Sequence, residues 1–140
     1  KLSSSSMLLT TQPYGNFILK VKFKLTKGNS GIQFRDIYHA DITYEDDLSK
    51  LGGLYGDKKD GLIYAPTHDQ TEELTETVNQ YGWNEYMITA KDDRITIEVN
   101  GVKAADIHHD GSKSGKIGFQ LHPKKPTEIA IKEILIKKLP

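Results

Sequence analysis

The sequence predicts an all-β protein folded as a two-sheet antiparallel sandwich, and three observations carry that prediction. Apolar and polar residues alternate with a period of two through nearly every patterned segment, as a strand with one buried face requires. The segments are separated by tight-turn residues, the strongest being Asn100-Gly101, both of which tolerate the positive φ of a type I′ turn. A single stretch reads as helix. Six or more antiparallel strands joined by tight turns can bury their apolar faces only against a second sheet.

Each element follows in chain order. From Asn16 to Lys27, Phe17, Leu19, Val21, Phe23 and Leu25 share one face, with Ile18, Lys20, Lys22 and Lys24 on the other. Gly28-Asn29-Ser30-Gly31 is a turn signal, so this strand is expected to hairpin into a second at 32–35. Residues 38–42 alternate again. The segment from Thr43 to Tyr81 is long and poorly periodic. Its Leu51-Gly52-Gly53-Leu54-Tyr55-Gly56 run is too apolar for a disordered tail, so an ordered loop over one sheet is expected. Within it, Thr71 to Val78 reads as a helix of at most two turns, capped by Asp69 or Thr71. Strands are then expected at 85–91, 94–99, 102–107, 115–122 and 129–137. Ile129 and Ile131 are out of phase with Ile134 and Ile136, which predicts a bulge between them.

Composition excludes several classes of function. The 140 residues carry 19 basic and 19 acidic side chains and no cysteine. The absence of a basic excess argues against a nucleic-acid partner. No apolar run approaches the roughly 18 residues of a membrane helix, and without cysteine there is neither disulfide nor thiolate metal site. The chain reads as a single domain, 1–140. It begins with Lys1 and a serine run rather than Met, so it is expected to lack an amino-terminal part of the natural chain and to belong to a larger multidomain protein.

Three short segments draw attention because their polar faces are chemically unusual. Gln33 and Arg35 alternate with apolar partners in one, His39 and Asp41 in the next, Gln120 and His122 in the third. A merely solvated face usually carries Lys, Glu, Thr or Ser, whereas this set suits a hydroxyl-rich ligand such as a sugar. Arg35 offers a bidentate clamp, against the plainer reading of a surface ion pair with Asp36 or Asp41. His39 and His122 are candidate general acids or bases, and Asp41 a base or an orienting carboxylate. Tyr55 is a candidate stacking platform, as is Trp83, although an aromatic at a strand start is more often core. His39, Asp41 and His122 suit a divalent ion chemically; no dense ligand spacing supports one, so a divalent metal stays an open alternative and no other cofactor is expected. His68, His108, His109 and the Lys20, Lys22, Lys24 stripe read as solvated positions.

An ordered series of motifs carries a family resemblance over positions 8 to 139. It runs Tyr14-Gly15-Asn16-Phe17, Asn29-Ser30-Gly31-Ile32-Gln33-Phe34-Arg35, His39-Ala40-Asp41-Ile42, Gly52-Gly53-Leu54-Tyr55, Trp83-Asn84-Glu85-Tyr86, Asn100-Gly101-Val102, Gly118-Phe119-Gln120-Leu121-His122 and a closing Ile134 to Leu139. The series resembles the 3-keto-disaccharide hydrolase-like domain family, also described as 3-keto-glucoside 1,2-lyase and 3-keto-2-hydroxyglucal hydratase. The resemblance implies a concanavalin A/laminin G-like jelly roll with a sugar site on its concave sheet, in exported proteins of the bacterial periplasm or surface. His39 stands where similar members often carry Gln, and the family's opening Trp-containing strand is absent.

Two functions follow as expectations. In the first, the protein is an enzyme cleaving or hydrating 3-keto-glycosides by proton abstraction at C2 and elimination at C1. His39, Asp41 and His122 would be catalytic, and Gln33, Arg35, Tyr55 and Gln120 would bind substrate. The sequence offers no carboxylate pair of the kind ordinary glycosidases use. In the second, it is a non-catalytic carbohydrate-binding module using the same face.

Overall fold

The computed structural model describes residues 7–43, 51–57, 59–121 and 127–140; side chains at 7–9, 120 and 121 also fall outside the description. Two antiparallel sheets pack face to face, as the sequence predicts. Eleven strands and one helix occur among the described residues. In chain order they are β1 (Met7–Leu9), β2 (Phe17–Lys27), β3 (Ser30–Phe34), β4 (Tyr38–Ile42), β5 (Leu54–Tyr55), β6 (Leu62–Tyr64), α1 (His68–Thr77), β7 (Trp83–Lys91), β8 (Arg94–Val99), β9 (Val102–His108), β10 (Gly118–Leu121) and β11 (Glu128–Lys138). One sheet has six strands in the order β1-β10-β3-β4-β5-β6, the other five in the order β11-β2-β7-β8-β9. The core lies between them. Phe17, Leu19, Val21, Phe23, Tyr86, Ile88, Ile95 and Ile97 from the five-stranded sheet meet Ile32, Phe34, Tyr38, Ala40, Ile42 and Leu54 from the other, all fully buried. Phe17 and Phe34 cross the interface edge to face, centroids 6.0 Å apart.

Four expectations need correction. The predicted hairpin from β2 into β3 is a crossover, since the two strands belong to different sheets. Gly28, at φ 76°, turns the chain from one layer to the other, and a short turn-rich link looks the same locally in either case. The strand expected at 32–35 stops at Phe34, because Arg35 and Asp36 adopt left-handed φ of 50° and 65°. The helix is longer than two turns. Its cap is Thr67, which accepts from the Gln70 amide while the Gln70 side chain accepts from the Thr67 amide, a reciprocal capping box. Part of the expected long loop is sheet, for β5 pairs with β4 and with β6. The bulge in β11 is where the phase break predicts it. The register against β2 slips between Lys132 and Leu135, and Glu133 takes a φ of 53°.

The hairpin at Asn100-Gly101 forms as expected, with Val99 paired to Val102 and φ of 51° and 82° at the two turn residues. A Cβ on Gly101 would meet nothing within 4 Å. Replacing Gly101 with Val therefore tests backbone conformation alone. It is expected to cost more than about 1 kcal/mol in chemical denaturation, because a β-branched residue resists positive φ.

Candidate functional site

The outer face of the six-stranded sheet gathers most of the residues singled out by the sequence. Cross-strand register sets two rows. In one, Gly118, Gln33, His39 and Tyr55 lie opposite one another across β10, β3, β4 and β5. In the adjacent row, Gln120, Gly31 and Asp41 are aligned. Directly opposed residues on neighbouring strands stand about 5 Å apart, so the rows form one patch. Above it lies an open groove of about 670 Å³, lined by Gln33, Asp36, His39, Asp41, Tyr55 and Asp57, with Ile37, Tyr38 and Gly56 completing the wall. That volume falls in the roughly 300–1,000 Å³ range of small-ligand clefts.

Each side chain is held in a definite way. His39 lies across β3, its ring occupying the space where Gly31 lacks a side chain. A Cβ at Gly31 would sit 2.1 Å from both His39 Cε1 and His39 Nε2. His39 Nε2 is 3.8 Å from Asp41 Oδ1, and both side chains are largely covered, 20% and 17% exposed. That separation is too long for a direct hydrogen bond, and both residues line the same groove. Tyr55 packs edge-on to His39, centroids 6.2 Å apart. Burial, and to a lesser degree the nearby Asp41 carboxylate, raises the Tyr55 pKa, so its hydroxyl remains a neutral donor at physiological pH. Gln33 Nε2 donates to the Asp36 carbonyl at 2.7 Å. This braces the β3–β4 turn.

Arg35 does not belong to this patch. The sequence placed it beside Gln33, but the left-handed turn carries its side chain to the end of the sandwich, where it is 1% exposed. Its Nε donates to the Gly15 carbonyl at 3.0 Å, one terminal nitrogen to the Asp92 carbonyl at 2.7 Å and the other to Asn16 Oδ1 at 3.1 Å. Burial lowers its pKa from the ordinary guanidinium value. Arg35 thus ties the β3–β4 turn to the start of β2 and to the β7–β8 turn, as a structural clamp between sheets. His122 lies outside the described residues. Gln120 is placed by backbone register alone.

Other candidates separate by location. Trp83 is half-buried on the outer face of the five-stranded sheet, with Lys132 Nζ 4.1 Å and Lys24 Nζ 5.3 Å from its ring centre. It cannot share a ligand with Tyr55. His109 is more engaged than a solvated turn residue, its Nδ1 lying 2.7 Å from the hydroxyl of buried Tyr38. Asp36 and Asp57 were missed by the sequence reading. Both flank strand ends, where period-two reasoning stops. Among the described residues, no three His, Asp or Glu side chains converge as a metal site.

Two antiparallel sheets packed face to face in this strand order define a jelly-roll-like class of fold. Within that class the chain belongs to the 3-keto-alpha-glucoside-1,2-lyase-like domain family, which it matches over residues 1–137. Comparison with curated proteins gave no match. Solved structures similar to it include a candidate glycosyl hydrolase from Parabacteroides distasonis ATCC 8503, at 22% identity and a TM-score of 0.71 over 99% of this chain and 78% of the other. The carbohydrate-binding module CBM66 from Bacillus subtilis aligns at 12% identity and a TM-score of 0.70, covering 99% and 84%. Chicken galectin 2 aligns at 6% identity and a TM-score of 0.64, covering 94% and 97%. At these identities the likeness is one of fold.

Proposed function

We propose that the groove on the six-stranded sheet binds a saccharide, and that the protein acts through carbohydrate recognition. The observation carrying this reading is the alignment of Gln33, His39, Asp41 and Tyr55 in adjacent cross-strand rows beneath one cavity. The set combines an amide, an imidazole, a carboxylate and a phenol, which supply both donors and acceptors for vicinal hydroxyls. Tyr55 adds an aromatic wall for an apolar sugar face. Among the described lining residues three are Asp and none is Lys or Arg, which favours an uncharged polyol over a phosphorylated ligand. Solved structures of carbohydrate-binding modules and galectins on the same fold support the reading by analogy.

The test is calorimetric titration with trehalose, lactose and their 3-keto forms. Asp41→Asn and Tyr55→Ala are each expected to weaken binding about tenfold or more, the scale of one good polar or stacking contact. Lys24→Ala, on the opposite sheet, is expected to change nothing. Wild-type protein that binds none of these sugars would overturn the reading.

A second reading, turnover of 3-keto-glycosides, is favoured by family membership and by the His39–Asp41 pair. A ketone at C3 acidifies the C2 proton. His39 or Asp41 would take that proton, and the enolate oxygen would be held by donors such as Gln33 or Tyr55. The C1–O bond then breaks as the enolate collapses, the aglycone takes the abstracted proton back from the protonated base and leaves as an alcohol, and water adds across the C1–C2 double bond. His122 remains a candidate partner in this chemistry. Release of glucose from 3-keto-trehalose, with and without chelator, decides it. His39→Ala and Asp41→Ala should each lower turnover about 10²-fold. An extracytoplasmic setting is part of the proposal and rests on the family alone.

A further inference from the structure

Resting on the saccharide-site reading, we propose that Tyr86 is a positioning residue, a buried pin that sets the groove by fixing Asp41 against the segment carrying Tyr55. Tyr86 belongs to β7, on the sheet opposite the groove, and is fully buried. Its ring is steadied edge-on by Phe23, with centroids 5.0 Å apart. Its hydroxyl crosses the core to the underside of the site. There it donates to the Asp41 carbonyl and accepts from the Gly52 amide at 2.9 Å.

The junction it reaches joins the main chain under Asp41 to the segment that leads into β5. The Gly52 amide also approaches the Asp41 carbonyl at 3.2 Å, and the Asp41 amide donates to the Gly53 carbonyl at 3.0 Å. Two residues later the chain becomes β5, which places Tyr55 opposite His39. Gly52 itself is wedged at φ 78°, where an added Cβ would lie 2.5 Å from the Ala104 methyl. One hydroxyl therefore ties the main chain under the carboxylate to the main chain that delivers the aromatic wall. A phenylalanine would fill the same volume and pack equally well against Phe23. The presence of tyrosine is explained by the two backbone groups it serves, since a buried hydroxyl without partners would be a cost.

The test compares Tyr86→Phe with Ile95→Val, a control that thins the core on β8 without touching this junction. Both variants are expected to fold and to melt a few degrees lower, about 5 °C for the loss of one buried hydrogen bond or methyl. In Tyr86→Phe alone, amide exchange at Asp41 and Gly52 should accelerate about tenfold relative to the β7–β8 amides. Affinity for 3-keto-trehalose should fall about fivefold, the scale of one net hydrogen bond. Unchanged exchange at both amides would overturn the proposal, as would equal affinity losses in both variants. Failure of the wild-type protein to bind 3-keto-trehalose would count against the saccharide reading. In that case the exchange measurement still decides whether Tyr86 pins the junction.

Discussion

Replacing Arg35 with Ala is expected to lower the melting temperature by roughly 10 °C, while affinity for a saccharide measured well below that temperature stays within about twofold of wild type. The guanidinium is 1% exposed and serves Gly15, Asn16 and Asp92 at once. Removing it leaves carbonyls from two other segments without their donor in a partly buried setting. Such a loss typically costs about 3 kcal/mol, since each charged hydrogen bond contributes about 1.5–3 and orphaned acceptors add a desolvation penalty. Part of that cost is the left-handed φ of Arg35, 50°, which the clamp offsets, while the Gln33 bond to the Asp36 carbonyl still holds the groove side of the turn. Arg35→Lys should recover only part of the loss, because an ammonium cannot reproduce the planar fork. A variant that melts normally but no longer binds sugar would restore Arg35 to the ligand site and contradict the structure.

Gly31→Ala is expected to abolish the site without dismantling the sheet. The new methyl would fall 2.1 Å from two atoms of the His39 ring and 2.9 Å from the Ala40 carbonyl. The ring is the more mobile neighbour and must leave, which removes it from the vicinity of Asp41 and Tyr55. Saccharide affinity should fall about tenfold or more, with a stability cost of roughly 1–3 kcal/mol for overpacking. The cause can be isolated by a double-mutant cycle. In a His39→Ala background there is no ring to displace, so Gly31→Ala should have little further effect on affinity. Additive losses in the double variant would show that Gly31 acts otherwise.

These two positions also show how much the sequence can reveal. Strand existence was legible from alternation because each strand buries one face, and this holds for β2, β4, β7 and β8 alike. The β11 bulge was legible because a phase break in isoleucines has few other causes. Which sheet a strand joins was not legible. Gly28-Asn29 marks a turn whether the chain hairpins or crosses the sandwich, and only long-range packing decides. Arg35 failed for a related reason. Period two was extended one residue beyond the strand, and no glycine at 35 or 36 announced the left-handed turn. The Thr67-x-x-Gln70 capping box was present in the sequence, but the acidic Asp69 and the later Thr71 drew the cap inward. Period two puts Gln33, His39 and Asp41 on one outer face, and the β4–β5 pairing adds Tyr55 opposite His39. Their supports, Gly31 beneath His39 and Tyr86 beneath Asp41, are tertiary relations between residues 8 and 45 positions apart, which no local pattern encodes.

The most direct measurement of the central claim is a map of backbone and side-chain NMR shifts during titration with 3-keto-trehalose. Binding in the proposed groove predicts that the shifts concentrate at Gln33, His39, Asp41 and the stretch from Tyr55 to Asp57, with Trp83, Lys24 and Lys132 unmoved. Shifts centred on Trp83 and its lysines would place the sugar on the opposite sheet and contradict the account.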